Sequence, residues 1–118
     1  GSTLNAYVSR ADFDFYHALL DAGIRCYFQV GVEFKRRNVA GTTIDVLAEK
    51  VLPVFLDGPH HRKFRQGVKD EKIDKALVSM GYWKPLRIPY NGRRPSKKLL
   101  KEWIGKVRKR LNRKSIKR

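Results

Sequence analysis

The order of apolar and polar residues predicts a helix, three strands, a helix, a strand and a helix along the chain. Over 12–22, Phe13, Tyr16 and Leu20 recur at helical spacing, Asp12 and Asp14 occupy the first turn and Gly23 supplies a C-terminal stop. Ile24, Cys26, Phe28, Val30 and Val32 then alternate with Arg25, Tyr27, Gln29 and Glu33, the period-two pattern of a half-buried strand. A basic turn, Lys35-Arg36-Arg37-Asn38-Val39-Ala40-Gly41, breaks that strand. Alternation resumes over 42–48, placing Ile44, Val46 and Ala48 on one face and Thr43, Asp45 and Leu47 on the other. A short turn at Glu49-Lys50 leads into the apolar run 51–56, which fits a central strand buried on both faces although Pro53 cannot donate to a ladder.

After the turn Asp57-Gly58-Pro59, the stripe Ile73, Ala76, Leu77 and Met80 predicts a helix over 69–80, closed by Gly81. Leu86 and Ile88 flank Arg87 in a short strand, and the loop Asn91-Gly92-Arg93-Arg94-Pro95 precedes a Ser96 N-cap. The last helix is expected over 97–111 with Leu100, Trp103, Ile104, Val107 and Leu111 inward, and 112–118 as a frayed basic tail. These elements make an α/β sandwich around one mixed sheet. Its domain is expected over 9–111, with 1–8 as a leading segment.

Composition changes the picture through charge. A chain of 118 residues has room for one domain, and 42% apolar with 11% aromatic residues is globular. Yet 27 Lys and Arg against 11 Asp and Glu leave a net +16, more than solubility requires, so a polyanionic partner is expected. Nucleic acid is favoured over a membrane because no apolar run approaches the ~20 residues of a spanning helix. Cys26 alone excludes an internal disulfide and a multi-cysteine zinc site, and suits a cytoplasmic setting. Gly1-Ser2 reads as the scar of tag removal, which leaves open whether 1–118 are a fragment of a longer protein.

Asp45 and Asp57 lie twelve positions apart on strands joined by a tight turn, so a hairpin can bring both carboxylates to one end of the sheet. Paired carboxylates suit a hard divalent cation, which can activate water and stabilise a leaving oxygen in phosphodiester hydrolysis. A structural pairing of Asp45 with a lysine, and a turn role for Asp57, are the competing readings. His60 and His61 follow by three and four residues, where a histidine can accept a proton near neutral pH.

The segment Phe55-Leu56-Asp57-Gly58-Pro59-His60 resembles the very-short-patch-repair branch of the PD-(D/E)XK nuclease superfamily, which includes some phage homing endonucleases. Asp45 upstream, Lys69-Asp70-Glu71-Lys72-Ile73-Asp74, Gly81-Tyr82-Trp83-Lys84-Pro85-Leu86-Arg87, and Asp12 eleven positions before Gly23-Ile24-Arg25 carry the same resemblance, over roughly residues 9–90. It implies a restriction-endonuclease-like sheet flanked by helices, and DNA cleavage with Mg2+, for which Mn2+ would substitute. Asp45 would be the principal metal ligand and the Leu56 main-chain carbonyl a second, with Asp57 the further candidate. His60 or His61 would be the general base, and Asp12 and Asp70 would fill the outer acidic positions. Glu71 and Asp74 are expected to be solvated helix charges.

The chain departs from the superfamily in lacking its acidic-x-Lys element: positions 55–57 read Phe-Leu-Asp, and Glu33-Phe34-Lys35 precedes Asp45. The histidine must then do the lysine's work. The zinc ligands of the bacterial mismatch enzyme are also missing, which favours general or homing-type cleavage over strict mismatch nicking. Candidate phosphate contacts are Lys35, Arg36, Arg37, Arg62, Lys63 and Arg65 near the site, and Arg93, Arg94, Lys97 and Lys98 around a helix N-terminus. Tyr82, Trp83 and Tyr90 fit core or rim packing better than base stacking. Alternative readings are a noncatalytic basic nucleic-acid-binding module and a Holliday-junction resolvase-like dimer. A homodimer, or a DNA-recognition domain outside the fragment, stays open.

Overall fold

The computed structural model describes residues 10–35, 39–58 and 64–116. The elements are α1 (Arg10–Asp21), β1 (Cys26–Val32), β2 (Thr42–Ala48), β3 (Leu52–Asp57), α2 (Phe64–Ser79), β4 (Leu86–Pro89) and α3 (Lys97–Ile116), in the predicted order. The sheet runs β1-β2-β3-β4, with β1/β2 and β2/β3 antiparallel and β3/β4 parallel. It is therefore a mixed α/β fold, with four strands and three helices among the described residues. Joining two parallel neighbours requires a crossover, and α2 supplies it.

Helices cover both faces. Phe15 and Leu19 of α1 and Trp103 and Val107 of α3 pack with Val46, Val54, Leu56 and Ile88 in the larger core. Trp103 meets Phe15 edge-on at a centroid distance of 5.4 Å. On the opposite face Ile73 and Leu77 of α2 close over Ile44, Leu47 and Phe55. Trp83 and Tyr90 pack against the first core and Tyr82 against the second, the packing role expected of them.

Local chemistry explains the element ends. The Gly23 N–H donates to the Leu20 carbonyl and the Ile24 N–H to the Leu19 carbonyl, with Gly23 at φ 82°, so α1 ends in a left-handed cap. Ser96 Oγ accepts the Leu99 N–H at 3.1 Å, the predicted N-cap of α3. Glu49 and Lys50 both hold positive φ, 53° and 64°, in the tight β2–β3 turn.

Four expectations are corrected. Helix α1 begins at Arg10 and buries Ala11, Asp12, Phe15 and Leu19, while Phe13 and Leu20 are exposed. The apolar positions of that segment form two overlapping stripes, and the sheet takes the other one. Met80 lies past the end of α2 and is 52% exposed, because the chain leaves the helix there to reach Gly81. Helix α3 continues through Ile116, so most of the expected tail is helical. The fourth correction is in the strands. Cys26, Val46 and Ala48 join the first core and Phe28 contacts the Phe13 and Tyr16 rings of α1, whereas Val30, Val32 and Ile44 belong to the second. The alternation reverses between 28 and 30 in β1 and between 44 and 46 in β2.

Candidate functional site

Those reversals share one place. The pairs Phe28↔Val46 and Val30↔Ile44 bracket Gln29 and set it opposite Asp45 in the register. Gln29 has φ 52°, a left-handed conformation that a side-chain-bearing residue adopts only at a cost. On the far side of β2, the pairing with β3 runs from Ala48↔Leu52 only to Val46↔Val54. One residue beyond, Asp45 Oδ2 accepts the Leu56 N–H at 2.9 Å, so a carboxylate stands where a main-chain carbonyl would continue the ladder. The Leu56 carbonyl leaves the same edge of β3 as its N–H, the edge that faces β2.

Asp12 enters from α1. It is 7% exposed, buried in the first turn, and Gln29 Nε2 donates to its Oδ2 at 3.3 Å. Burial, then the Asp12 carboxylate, push the Asp45 carboxyl up to about 7; the Leu56 N–H opposes the rise, Asp57 adds to it and Arg87 offsets it. Asp45 thus sits in a concentrated negative field and pairs with no lysine among the described residues. Cys26 is buried beneath the same helix, its Sγ donating to the Tyr16 carbonyl, and burial with the Glu49 charge raises its thiol to about 11. Such a thiol is a packing group rather than a nucleophile.

A second cluster adjoins the first. Arg87, between Leu86 and Ile88, makes a bidentate bond to Asp74 (2.7 Å at the shortest), and its Nη1 lies 3.3 Å from Asp57 and 3.4 Å from Asp70. The guanidinium also stacks over Phe55, 4.4 Å from the ring centroid. Burial alone would lower its pKa, but the three carboxylates hold it above the ordinary value. Asp57 and Asp70 are therefore engaged by a cation. Asp74, expected to be solvated, is a principal partner of Arg87, whereas Glu71 makes an exposed pair with Lys75. Sequence reasoning missed Arg87 and Gln29. An arginine flanked by two apolar residues in a short strand was the available signal for the first; Gln29 looked like one more polar position in an alternating strand.

The loop before α3 adjoins this end of the sheet: the Tyr90 N–H donates to the Asp57 carbonyl at 3.0 Å. Arg94 reaches Asp14 near the start of α1, and Arg108 reaches the Ala22 carbonyl past its end, so α1 and α3 run in the same direction. Arg93, Arg94, Lys97 and Lys98 are exposed around the start of α3, where Arg94 pairs with Asp14. Lys35 is exposed after β1. His60, His61, Arg36, Arg37, Arg62 and Lys63, and the side chain of Arg65, lie outside the described residues.

Among the described residues no group of three or more His, Cys, Asp or Glu forms a ready cage for a metal ion. Mg2+ does not require one, since it keeps several waters and takes one or two carboxylates. The donors here are all oxygen, and the crowding of Asp45 by Asp12 and Asp57 is what a dication would relieve. Asp45 and the Leu56 carbonyl fit such an ion.

No protein-family model and no curated protein matches the chain. A solved crystal structure of a protein of unknown function, AF1548, is similar with a TM-score of 0.50 and 17% identity, covering 82% of this chain. The chain spans about half of that protein, 54% of its length, and the likeness concerns the fold alone. Among the described residues no helix is long and apolar enough to cross a membrane.

Proposed function

We propose that this chain is the catalytic unit of a metal-dependent DNA endonuclease with a restriction-endonuclease-like topology, of the homing or repair kind. The observation that carries this reading is Asp45: a carboxylate inside the sheet, bonded to the Leu56 N–H where the β2–β3 ladder stops, and crowded by Asp12 and Asp57. The net charge of +16, with Arg93, Arg94, Lys97 and Lys98 exposed around the start of α3, supports DNA as the substrate. Asp45 and the Leu56 carbonyl would hold Mg2+ or Mn2+, which when bound supplies a polarised phosphoryl oxygen and an acidified water. Asp12 supplies further negative charge. His60 or His61 takes the proton of the attacking water, in place of the missing lysine.

Asp57 and Asp70 act through Arg87 in this reading. Their pairing with one guanidinium holds the end of β3 against α2 and β4. Direct metal ligation by Asp57 is the weaker assignment, because it would have to compete with that ion pair.

The test is nicking of supercoiled plasmid in Mg2+ against EDTA, for the wild type, Asp45→Asn and His60→Ala. Metal-dependent nicking lost in both variants is expected. Equal nicking by all three proteins would sink the assignment. Salt-sensitive binding without nicking would instead favour a noncatalytic nucleic-acid-binding module, a reading supported by the engagement of Asp57 and Asp70 with Arg87.

A further inference from the structure

We propose that Gln29 is a positioning residue of the Asp12/Asp45 site: its left-handed backbone turns its side-chain amide onto Asp12 and fixes that carboxylate beside Asp45. The inference rests on the cation-site reading above and adds to it a residue that touches neither metal nor substrate.

Three independent features of Gln29 converge. It stands opposite Asp45 in the β1–β2 register. Its φ of 52° lies where glycine or asparagine would be at ease and where glutamine is strained. Its Nε2 donates to Asp12 Oδ2 at 3.3 Å, across from the strand to the first turn of α1. The strain has an identifiable effect. In a regular strand Phe28 and Gln29 would point to opposite faces; here Phe28 meets the Phe13 and Tyr16 rings of α1 and Gln29 reaches Asp12 on the same helix. A left-handed residue at this point is what brings two successive side chains to α1.

The chemistry of the donor matters as much as its place. Arg87 holds Asp57, Asp70 and Asp74 with a full positive charge, which discharges part of their attraction for a metal ion. Gln29 holds Asp12 with a neutral amide. It orients the carboxylate while leaving its negative charge to act on Asp45 and on whatever cation Asp45 takes. A lysine or arginine at position 29 would orient Asp12 equally well and spoil the field.

Gln29→Gly is the informative variant, because glycine accepts the positive φ freely and removes only the amide. Its melting temperature without metal should equal or exceed that of the wild type, while its Mn2+ dissociation constant, read by calorimetry, rises roughly 10-fold, the lower range for loss of a partner behind a ligand. Gln29→Asn, which keeps an amide and tolerates the backbone, should recover part of that affinity. Gln29→Lys should bind Mn2+ more weakly than Gln29→Gly. An unchanged Mn2+ affinity in Gln29→Gly overturns the proposal. A separate readout needs no metal: in NMR spectra of the metal-free protein, the Gln29 side-chain NH2 pair should shift on Asp12→Ala. If that pair does not move, the amide does not hold Asp12 and the proposal fails. If it moves while the wild type binds no Mn2+, the positioning stands and the metal-site reading falls.

Discussion

A single carboxylate has opposite effects on folding and on the proposed chemistry. The Asp45 carboxyl has its proton affinity raised from 3.8 to about 7, so between those pH values the folded chain binds a proton that the unfolded chain has released. The stability that this proton contributes is fully present below about pH 4 and is lost as pH rises through about 7. In EDTA, the wild type should lose melting temperature across that window beyond what its other groups cause. Asp45→Asn keeps an oxygen for the Leu56 N–H and cannot ionise, so it should melt several degrees above the wild type at pH 8, with the gap closing toward pH 4. A variant that melts lower at pH 8 would mean that the ionised carboxylate stabilises the fold. Asp45 was readable from sequence because an aspartate in an alternating strand is conspicuous. Its partner was not, since Leu56 contributes a main-chain N–H that any residue would carry.

At the scale of elements, periodicity found the seven among the described residues and misjudged their faces wherever a neighbour intervened. Both readings of α1 place apolar side chains at helical spacing, and only packing on the sheet selects Phe15 and Leu19 over Phe13 and Leu20. In β1 and β2 the alternation fails at Gln29 and Asp45, an irregularity set by backbone strain and a side-chain bond that leave no trace in hydropathy. The crossover β3-α2-β4 is fastened by Arg87, which joins a residue from β3 and two from α2. Removing one side of a largely buried ion pair is strongly destabilising because the remaining charges lose their partner. Arg87→Met should therefore lower stability by about 3 kcal/mol in urea unfolding. Asp74→Asn should cost less, since Asp57 and Asp70 remain. An Arg87→Met protein as stable as the wild type would show that the network contributes no net stability.

Over the whole molecule, charge speaks of a partner and says little about the fold. The +16 excess survives the internal pairs, and the nine Lys and Arg of α3 against its one Glu make that helix a basic rod. If about six to ten phosphates are neutralised, log K for duplex DNA should fall with a slope near −5 to −9 in log salt, and Lys97→Glu with Lys98→Glu should flatten it by about two. A slope near zero in fluorescence anisotropy titrations would remove nucleic acid from consideration. The parallel pairing of β4 with β3 was legible only as the statement that the sheet is mixed, because strand direction follows from the crossover and not from the strand's own residues.

The reversal of faces at Gln29 and Asp45 also indexes the hairpin. An evenly alternating pair of strands can slide by two residues and still present its apolar side chains to the same faces. Here each strand changes face once, at one position, and the two changes match only when 29 stands across from 45. A slide by two would pair a reversed stretch with an unreversed one, forcing polar side chains into one core while withdrawing apolar ones from the other. The irregularity thus works as a notch that selects one alignment of β1 on β2 and, through it, the single arrangement in which Asp12, Asp45 and Leu56 meet.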